Sequence, residues 1–465
     1  MRTKILRNAS LYLNGVVKQG SLVIKDGKIA KIVFNESTSE QRHFRPLKRF
    51  NTEIDCGGRL IIPGLIDIHS HLRDMAQSEK ETFLTGTKAA AFNGITTVFN
   101  MPNTSPPANS SRQIKLWLRK AKNSLYIDVG FIAGIPDNFN PVEIREIIRQ
   151  NIIGFKIYPH KPLNNLDWTN KHDLYQLFDL SSKYGIPIFI HPECPILDEE
   201  EINFQNQVNS GNRRVLDLYN DIKPNHSELN YVKFVVENYK GYIHKKSLND
   251  SQFPIIHLCH ISTKQSFEYL LKIQESDENF KITMEVTPHH LLLNKNIQVD
   301  KPTNAKVDPP LRDPSDQLYL YDQLKRGNLK IIASDHAPHT SIEKDKPFYT
   351  APSGFPEFDT YPLILLDKVL SGEIELKSFI QACSEYPALS FNLKKKGFIK
   401  VGYNADLVIV EKVNPYLIST INFRSKAKFT PYHEFKTTVR IWKVFLRGIE
   451  VNRENITPKG KIIRR

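Results

Sequence analysis

Apolar residues follow one pattern at the two ends of the chain and another in its middle. Near the N-terminus, short β-type runs over 10–13, 20–24 and 31–34 are separated by turn signals at 14–15 (Asn-Gly) and 26–27 (Asp-Gly). Runs of the same kind return over 397–402, 405–410 and 439–446. We therefore predict that residues 1–60 and 397–465 form one composite β-sandwich domain, into which residues 61–396 are inserted.

Between these ends, strand-like apolar runs alternate with helix-compatible segments. The predicted strands cover 62–68, 95–100, 127–132, 152–158, 186–191, 255–260, 282–286 and 330–335. The predicted helices cover 81–93, 109–123, 141–150, 171–184, 263–275 and 313–326. This alternation predicts a parallel (β/α)₈ barrel over 61–396, with its chemistry on the loops at the C-terminal ends of the strands. The polar segment 196–250 contains a helical piece near 227–239; it either covers the site or decorates the rim, and we favour decoration.

Composition narrows the function classes. The chain has 465 residues and a formal net charge of +14, but its lysines are spread without an aromatic-interleaved patch, which favours a solvated basic surface over nucleic-acid binding. Its four cysteines form no C-x-x-C pair, which argues against a disulfide framework and favours a reducing compartment. The N-terminus has no apolar signal region and no run approaches about 18 apolar residues, so we expect a cytoplasmic protein without a membrane partner.

The first candidate chemistry lies at the end of the first predicted barrel strand, at His69, His71 and Arg73. Because side chains two apart on a strand share a face, we expect the two histidines to point one way and Ile66 and Ile68 the other. Two imidazoles so placed can bind one divalent ion, and the guanidinium can bind a carboxylate beside it. The alternative is a pair of hydrogen-bonded polar residues at a strand end, and the motif alone does not choose between them.

Further candidate ligands lie at the ends of other predicted strands. Lys156 lies near the end of the fourth strand, His191 closes the fifth, His260 the sixth and Asp335 the eighth. Because the C-terminal ends of barrel strands meet at one mouth, these placements favour a shared metal site over separate core histidines.

Lys156 requires its own interpretation, because an ammonium group cannot bind a metal. Its apolar neighbours Phe155, Ile157 and Tyr158 disfavour the charged form, so the neutral amine could add carbon dioxide. The resulting carbamate is an anion able to bridge two metal ions. A lysine paired with a loop carboxylate is the alternative.

Six segments contain the candidate residues and their neighbours: IDIHSHLR (66–73), MPNT (101–104), GFKIY (154–158), HLCHIST (257–263), EVTPHH (285–290) and ASDHAPHT (333–340). Together they resemble, in the same order, the dihydroorotases of the amidohydrolase superfamily. The metal motifs are shared with hydantoinases and allantoinases, whereas the combination of Arg73, Asn103 and 335–340 is more specific to dihydroorotases. The resemblance covers nearly the whole chain, including the split β domain.

The resemblance implies a zinc centre. Its ligands would be His69, His71 and Asp335 for one Zn²⁺, His191 and His260 for a second, and carboxylated Lys156 as the bridge. His260 is preferred over His257 because the family's ligand precedes an Ile-Ser-Thr run. His289 and His290 are interpreted as support for the end of the seventh strand.

The implied activity is the reversible cyclisation of N-carbamoyl-L-aspartate to dihydroorotate and water. Arg73 and Asn103 would bind the substrate carboxylate, and His339 would hold the ring. Asp335 would accept a proton from the attacking water and pass it to the leaving ring nitrogen. A homo-oligomer and an association with aspartate transcarbamoylase are the protein partners to expect.

Three departures from the family pattern bear on the substrate. Asp74-Met75-Ala76 replaces Glu-Pro-Gly, a loop change that we expect to be tolerated. Asp308 stands where the family often has Asn, and a carboxylate there is awkward beside a dianionic substrate. Glu357 replaces a common Gly and could alter a backbone contact to the ring. The alternative functions are allantoinase or dihydropyrimidinase activity, and a catalytically silent scaffold, against which the complete ligand set argues.

Overall fold

The computed structural model describes residues 3–34, 52–277, 279–454 and 456–465. The strands are β1 Thr3–Leu13, β2 Val16–Lys25, β3 Lys28–Phe34, β4 Thr52–Asp55, β5 Leu60–Pro63, β6 Leu65–Ser70, β7 Ile95–Asn100, β8 Asp128–Gly134, β9 Gly154–Ile157, β10 Ile188–Ile190, β11 Ile256–Leu258, β12 Ile282–Met284, β13 Leu407–Leu417, β14 Lys436–Leu446 and β15 Ile449–Glu450. The α-helices are α1 Phe83–Phe92, α2 Ser111–Ala121, α3 Pro141–Ile148, α4 Lys171–Tyr184, α5 Asp198–Ser210, α6 Val215–Ile222, α7 Asn225–Lys246, α8 Lys264–Ser276, α9 Pro288–Leu292, α10 Pro314–Lys325, α11 Ser341–Lys344, α12 Tyr361–Leu370, α13 Leu376–Ile380 and α14 Tyr386–Ser390. Residues 1–2 and 35–51 of the predicted N-terminal β segment lie outside the described residues.

A mainly antiparallel sheet takes its strands from both ends of the chain. Its hydrogen-bonded order is β15-β14-β13-β5-β1-β2-β3, with β4 beside β1. The turns at 14–15 and 26–27 have positive φ at both residues, as two-residue hairpins of the favoured type require, so both turn predictions are confirmed. The predicted runs over 405–410 and 439–446 fall in β13 and β14, apart from the first two residues of 405–410, whereas 397–402 contributes no regular strand to the described part of the sheet.

The two halves of this sheet enclose one apolar core. Buried side chains from the N-terminal and the C-terminal strands belong to the same cluster: Leu6, Leu11, Leu22, Leu407, Ile409 and Phe445. The sheet therefore folds over itself, and the predicted sandwich architecture is confirmed.

The middle of the chain forms the predicted parallel barrel. Strands β6 to β12 pair in chain order, and β6, β7 and β8 are buried at every residue, as expected for strands covered on both faces. At the eighth position, isolated parallel bridges from Val286 to Ile332 and from Ser70 to His336 close the ring. The prediction of a regular strand over 330–335 is wrong, because the backbone turns to a φ of 50° at Asp335.

The predicted strand over 62–68 is also wrong, because it spans two strands of different sheets. Strand β5 pairs with β13 in the antiparallel sheet, whereas β6 pairs with β7 in the barrel. Gly64 separates them, and a Cβ atom there would lie 2.2 Å from Thr96 Oγ1. Only glycine allows the chain to pass from one sheet to the other this close to β7.

Side chains do not alternate along β6 as predicted. Ile66 and Ile68 cluster with apolar residues of non-neighbouring barrel strands, among them Phe189, and such residues can meet only inside the barrel. The pairing of β6 with β7 shifts register within 67–70, and such an irregularity re-aims the side chains that follow it. The two isoleucines therefore fill the barrel interior below His69 instead of facing away from it.

The interpretation as decoration of the rim is wrong for the part of 196–250 that forms helix α7. Helix α7 is the crossover from β10 to β11, and it packs against α4 and α8. Its Val232, Val235, Val236 and Tyr239 are fully buried in the main core of the barrel. Throughout the described residues, the helices are too short or too polar to cross a membrane.

Candidate functional site

Three predicted ligands meet at the barrel mouth, where β6 ends beside the eighth strand position. Asp335 Oδ1 lies 2.7 Å from His71 Nε2 and 3.3 Å from His69 Nε2. Ligand atoms of the three residues all lie within 4.8 Å of one another. The structure thus brings together side chains that are more than 260 positions apart in the sequence.

The hydrogen-bond partner of Nδ1 in each imidazole determines whether Nε2 has a free lone pair. His69 Nδ1 contacts the Glu285 carboxylate, and His71 Nδ1 lies 2.6 Å from Asn103 Oδ1. Because carboxylate and amide oxygens only accept, we assign the proton to both Nδ1 atoms, so that both Nε2 atoms present lone pairs to Asp335. Two lone pairs and a carboxylate oxygen repel one another unless a cation lies between them. This donor set fits a divalent ion such as zinc.

Electrostatics at this triad favour a positive charge. Burial lowers the pKa of His71 to about 4, although Asp335 opposes the shift. Burial also works against the charged form of His69, but the carboxylates of Glu285 and Asp335 outweigh it and raise its pKa to about 10. The pKa of Asp335 is well below its usual range, because the neighbouring histidines outweigh its burial. The carboxylates that favour a charged His69 would equally favour a divalent ion bound beside it.

A second group of predicted ligands adjoins the first. The ring centroid of His260 lies 4.4 Å from that of His191 and 5.4 Å from that of His69. Among the described residues, His260 Nδ1 and Lys156 Nζ are buried without a hydrogen-bond partner. Burial lowers the pKa of His191 and of His260 well below the usual value, so both rings are neutral and able to bind a metal. A buried ammonium without an acceptor is unfavourable, so the position of Lys156 suits the carbamate that the sequence suggested.

His257, the alternative to His260, is engaged on both ring nitrogens. Its Nε2 lies 2.9 Å from Glu285 Oε2 and its Nδ1 lies 2.8 Å from Thr283 Oγ1. The geometry therefore favours His260 over His257 as a metal ligand.

The Ile-Ser-Thr run after His260 is held by helix α7. The backbone N–H groups of Ser262 and Thr263 donate to the Glu228 carboxylate over 3.0 and 3.1 Å, and both hydroxyls donate to it as well. Glu228 is fully buried. This clamp fixes the loop in which His260 takes a φ of 34°.

The predicted substrate-binding residues lie beside the triad. Arg73 is buried, and its Nη2 lies 3.1 Å from His339 Nε2. His339 Nε2 also lies 3.0 Å from the carbonyl oxygen of Ser353, so the ring is held between a guanidinium and a backbone carbonyl. Burial and the charge of Arg73 lower the pKa of His339 to about 3, so the ring stays neutral. Asn103 uses its carbonyl end on His71, so its NH₂ group is the end left for a substrate carboxylate.

Sequence reasoning missed a charged network next to His191. Glu193 Oε2 lies 2.6 Å from His191 Nε2, which leaves Nδ1 of that ring for a metal. Lys223 Nζ lies 3.2 Å from Glu193 Oε2 and also contacts Asp308 Oδ1. Asp308 Oδ2 lies 3.4 Å from His160 Nε2, whose ring stacks 4.0 Å from that of His191. Asp308, the carboxylate expected to be awkward beside a dianionic substrate, is therefore paired with Lys223 within the protein.

Glu285 was also missed as a functional residue, although it was quoted in the motif over 285–290. It follows β12 directly, so the strand-end rule that selected the other ligands could have found it. Its carboxylate joins His69 and His257, and it accepts the backbone N–H of His260 over 3.2 Å.

Glu357, another of the three departures, is fully buried. It accepts the Tyr432 hydroxyl over 3.0 Å and lies 3.0 Å from His289 Nδ1, while burial raises its pKa. His290 Nε2 lies 3.1 Å from the carbonyl oxygen of Pro310. Both histidines therefore tie α9 to neighbouring loops, in keeping with the supporting role expected of them.

A cavity of about 220 Å³ lies beside the centre. Its lining includes Lys223, Asp308 and His160 of the charged network, and residues 349–353. The ring of His160 stacks on that of His191, and the carbonyl oxygen of Ser353 is 3.0 Å from His339 Nε2. The cavity therefore adjoins residues that contact His191 and His339.

Comparisons with known proteins give matches over nearly the whole chain. Residues 60–451 match the Amidohydrolase family. The chain is 32% identical over 432 residues to a dihydroorotase of Methanosphaera stadtmanae, covering 93% of this chain and 92% of that protein. It is 33% identical over 448 residues to a dihydroorotase of Pyrococcus abyssi, covering 96% and 93%. The fold is similar to that of the L-hydantoinase (dihydropyrimidinase) from Arthrobacter aurescens, with a TM-score of 0.86, 23% identity and full coverage of both chains.

Proposed function

The chain belongs to the amidohydrolase family, and we propose that within it the protein works as a dihydroorotase. The reaction is the reversible cyclisation of N-carbamoyl-L-aspartate to (S)-dihydroorotate and water, a step of pyrimidine biosynthesis. The observation that carries the proposal is the acceptor-only triad of His69, His71 and Asp335 beside the buried Arg73. A cation site next to an anion site suits a ring amide that carries a carboxylate. The relatives named dihydroorotase, at 32–33% identity over almost the whole chain, support the same choice.

The proposed cofactor is Zn²⁺, with two ions per subunit. His69, His71 and Asp335 would hold one ion, His191 and His260 the other, and carboxylated Lys156 would bridge them. When bound, such ions lower the pKa of water and polarise the attacked carbonyl.

The residues of the chain then divide the remaining work. Asp335 would accept the proton of the attacking water and pass it to the leaving ring nitrogen, because its oxygen lies at the mouth between the two imidazoles. Arg73 would form a charge-assisted contact with the substrate carboxylate, joined by the NH₂ group of Asn103. His339, held neutral beside Arg73, would hold the ring of the substrate.

Allantoinase and dihydropyrimidinase activities are the second candidate. The solved hydantoinases share the fold at 22–23% identity. Similarity at this level indicates the fold and does not indicate the substrate. Substrates of that kind without a carboxylate would leave the buried Arg73 without an anion, so the dihydroorotase proposal is preferred. A catalytically silent scaffold would have no use for the triad. We also propose a cytoplasmic homo-oligomer and an association with aspartate transcarbamoylase.

The test is a side-by-side assay of dihydroorotate, allantoin and dihydrouracil on protein of known metal content. The proposal predicts turnover of dihydroorotate in preference to the other two, lost on chelation and restored by zinc. Preference for allantoin or dihydrouracil would replace it with the second candidate, and no turnover of any of the three would favour the scaffold.

A further inference from the structure

We propose that Lys223 is a positioning residue for the metal subsite of His191 and His260. It reaches that subsite from the short segment between α6 and α7, far from every motif that carries the family resemblance. The inference rests on the proposed function, because it concerns a metal subsite that the function requires.

Lys223 sits at the centre of the charged network. Its side chain is only 6% exposed, and its ammonium contacts Glu193 on one side and Asp308 on the other. Glu193 in turn holds His191 Nε2 at 2.6 Å. The backbone carbonyl of Lys223 accepts from Arg312 Nη1, which fixes the position of the segment. One ammonium thus links a loop after β10 with a loop after β12.

Ionic contacts explain why the network needs this lysine. The side chains of Glu193 and Asp308 are 1% and 16% exposed, and those of the neighbouring cations Lys223 and Arg312 are 6% and 1% exposed. Arg312 Nη2 is 3.9 Å from Glu193 Oε1, so it is the weaker partner. Without Lys223, Glu193 loses the 3.2 Å contact that fixes its orientation beside His191 and keeps only the more distant Arg312.

Movement of Glu193 would reach the metal through His191. A carboxylate that binds the far nitrogen of a metal-binding histidine sets the tautomer and orientation of the ring. With Glu193 displaced, His191 loses the partner that directs Nδ1 to the subsite. Residues of this kind typically change metal affinity or activity by roughly 10- to 100-fold when replaced.

The experiment compares Lys223→Met with a matched control, Lys295→Met. Lys295 also bridges two carboxylates, Asp217 at 3.6 Å and Asp313 at 2.9 Å, but it lies partly exposed on the surface. For each variant, the zinc retained per chain after dialysis against graded chelator is measured by mass spectrometry, and kcat/KM for dihydroorotate is measured on the zinc-loaded protein.

The proposal predicts that Lys223→Met lowers the apparent zinc affinity and kcat/KM, each by roughly 10- to 100-fold, whereas Lys295→Met stays within about twofold of wild type. Adding Asp308→Asn removes the unmatched carboxylate, so the double variant should recover part of the lost affinity. If Lys223→Met does not fold, the double variant compared with Asp308→Asn alone carries the test.

Wild-type zinc retention in Lys223→Met would overturn the inference, and so would a double variant worse than either single one. Failure of the proposed function is a different result, in which wild-type protein retains zinc but does not convert dihydroorotate. In that case zinc retention alone still decides the role of Lys223.

Discussion

Glu285→Gln is the change that best separates the metal triad from ordinary core packing. The carboxylate of Glu285 is fully buried and accepts from His69 Nδ1, His257 Nε2 and the backbone N–H of His260. Glutamine has the same shape but a single acceptor oxygen, and its NH₂ group faces imidazole N–H groups that also donate. At least one imidazole N–H is therefore left without an acceptor.

The magnitude follows from these bonds. Charge-assisted hydrogen bonds contribute about 1.5–3 kcal/mol each and a neutral one about 1 kcal/mol. Replacing two of the former by one of the latter lowers the free energy of unfolding by about 2–5 kcal/mol. Without a fixed acceptor at Nδ1, His69 can place its proton on Nε2, which removes a lone pair from the triad. Zinc affinity should then fall by roughly 10- to 100-fold.

The assay combines urea unfolding of the metal-free protein with zinc retention against a chelator. Glu411→Gln is the matched control, because Glu411 pairs with Arg59 and Arg440 in the antiparallel sheet, away from the barrel mouth. The control should retain zinc like wild type. A Glu285→Gln protein that retains zinc like the control would refute the role given to this carboxylate.

Three further predictions concern single residues. Arg73→Lys should raise KM for dihydroorotate by roughly 10- to 100-fold through loss of the planar contact, and an unchanged KM would rule out Arg73 as the carboxylate ligand. His339→Gln tests a pH effect. Because the pKa of buried His339 is lowered to about 3, its neutral ring contributes stability at pH values above the ordinary histidine pKa near 6.5. This contribution is lost as the pH falls below that value. Between pH 7 and pH 5, the free energy of unfolding should therefore fall by about 2 kcal/mol less in the variant than in wild type. Equal falls would contradict the assignment. Asp335→Asn should lower kcat by about 10²- to 10⁴-fold, measured by the dihydroorotate assay, and wild-type turnover would remove Asp335 from proton transfer.

The convergence of the ligands was predictable from sequence because it depends on topology alone. Parallel barrel strands aim their C-terminal ends at one mouth, so His69, His191, His260 and Asp335 had to approach one another once the strands were placed. The helices between the strands were predictable for a different reason, because the apolar periodicity of a helix lies within its own residues.

What the sequence did not reveal depends on contacts or irregularities that no local pattern encodes. The register shift in β6 puts Ile66 and Ile68 inside the barrel, although strict alternation placed them outside. The hydrogen bond from His71 to Asn103 and the pairing of Lys223 with Asp308 join residues 32 and 85 positions apart. The switch between sheets at Gly64 was hidden because both strands are apolar and contiguous.

The central claim is that His69, His71 and Asp335 surround a divalent ion. Anomalous diffraction at the zinc edge, from crystals grown with zinc, locates such an ion directly. A peak about 2.0–2.2 Å from both Nε2 atoms and from an Asp335 oxygen is the predicted result. Zinc-loaded crystals with no anomalous peak at these three atoms would contradict the claim.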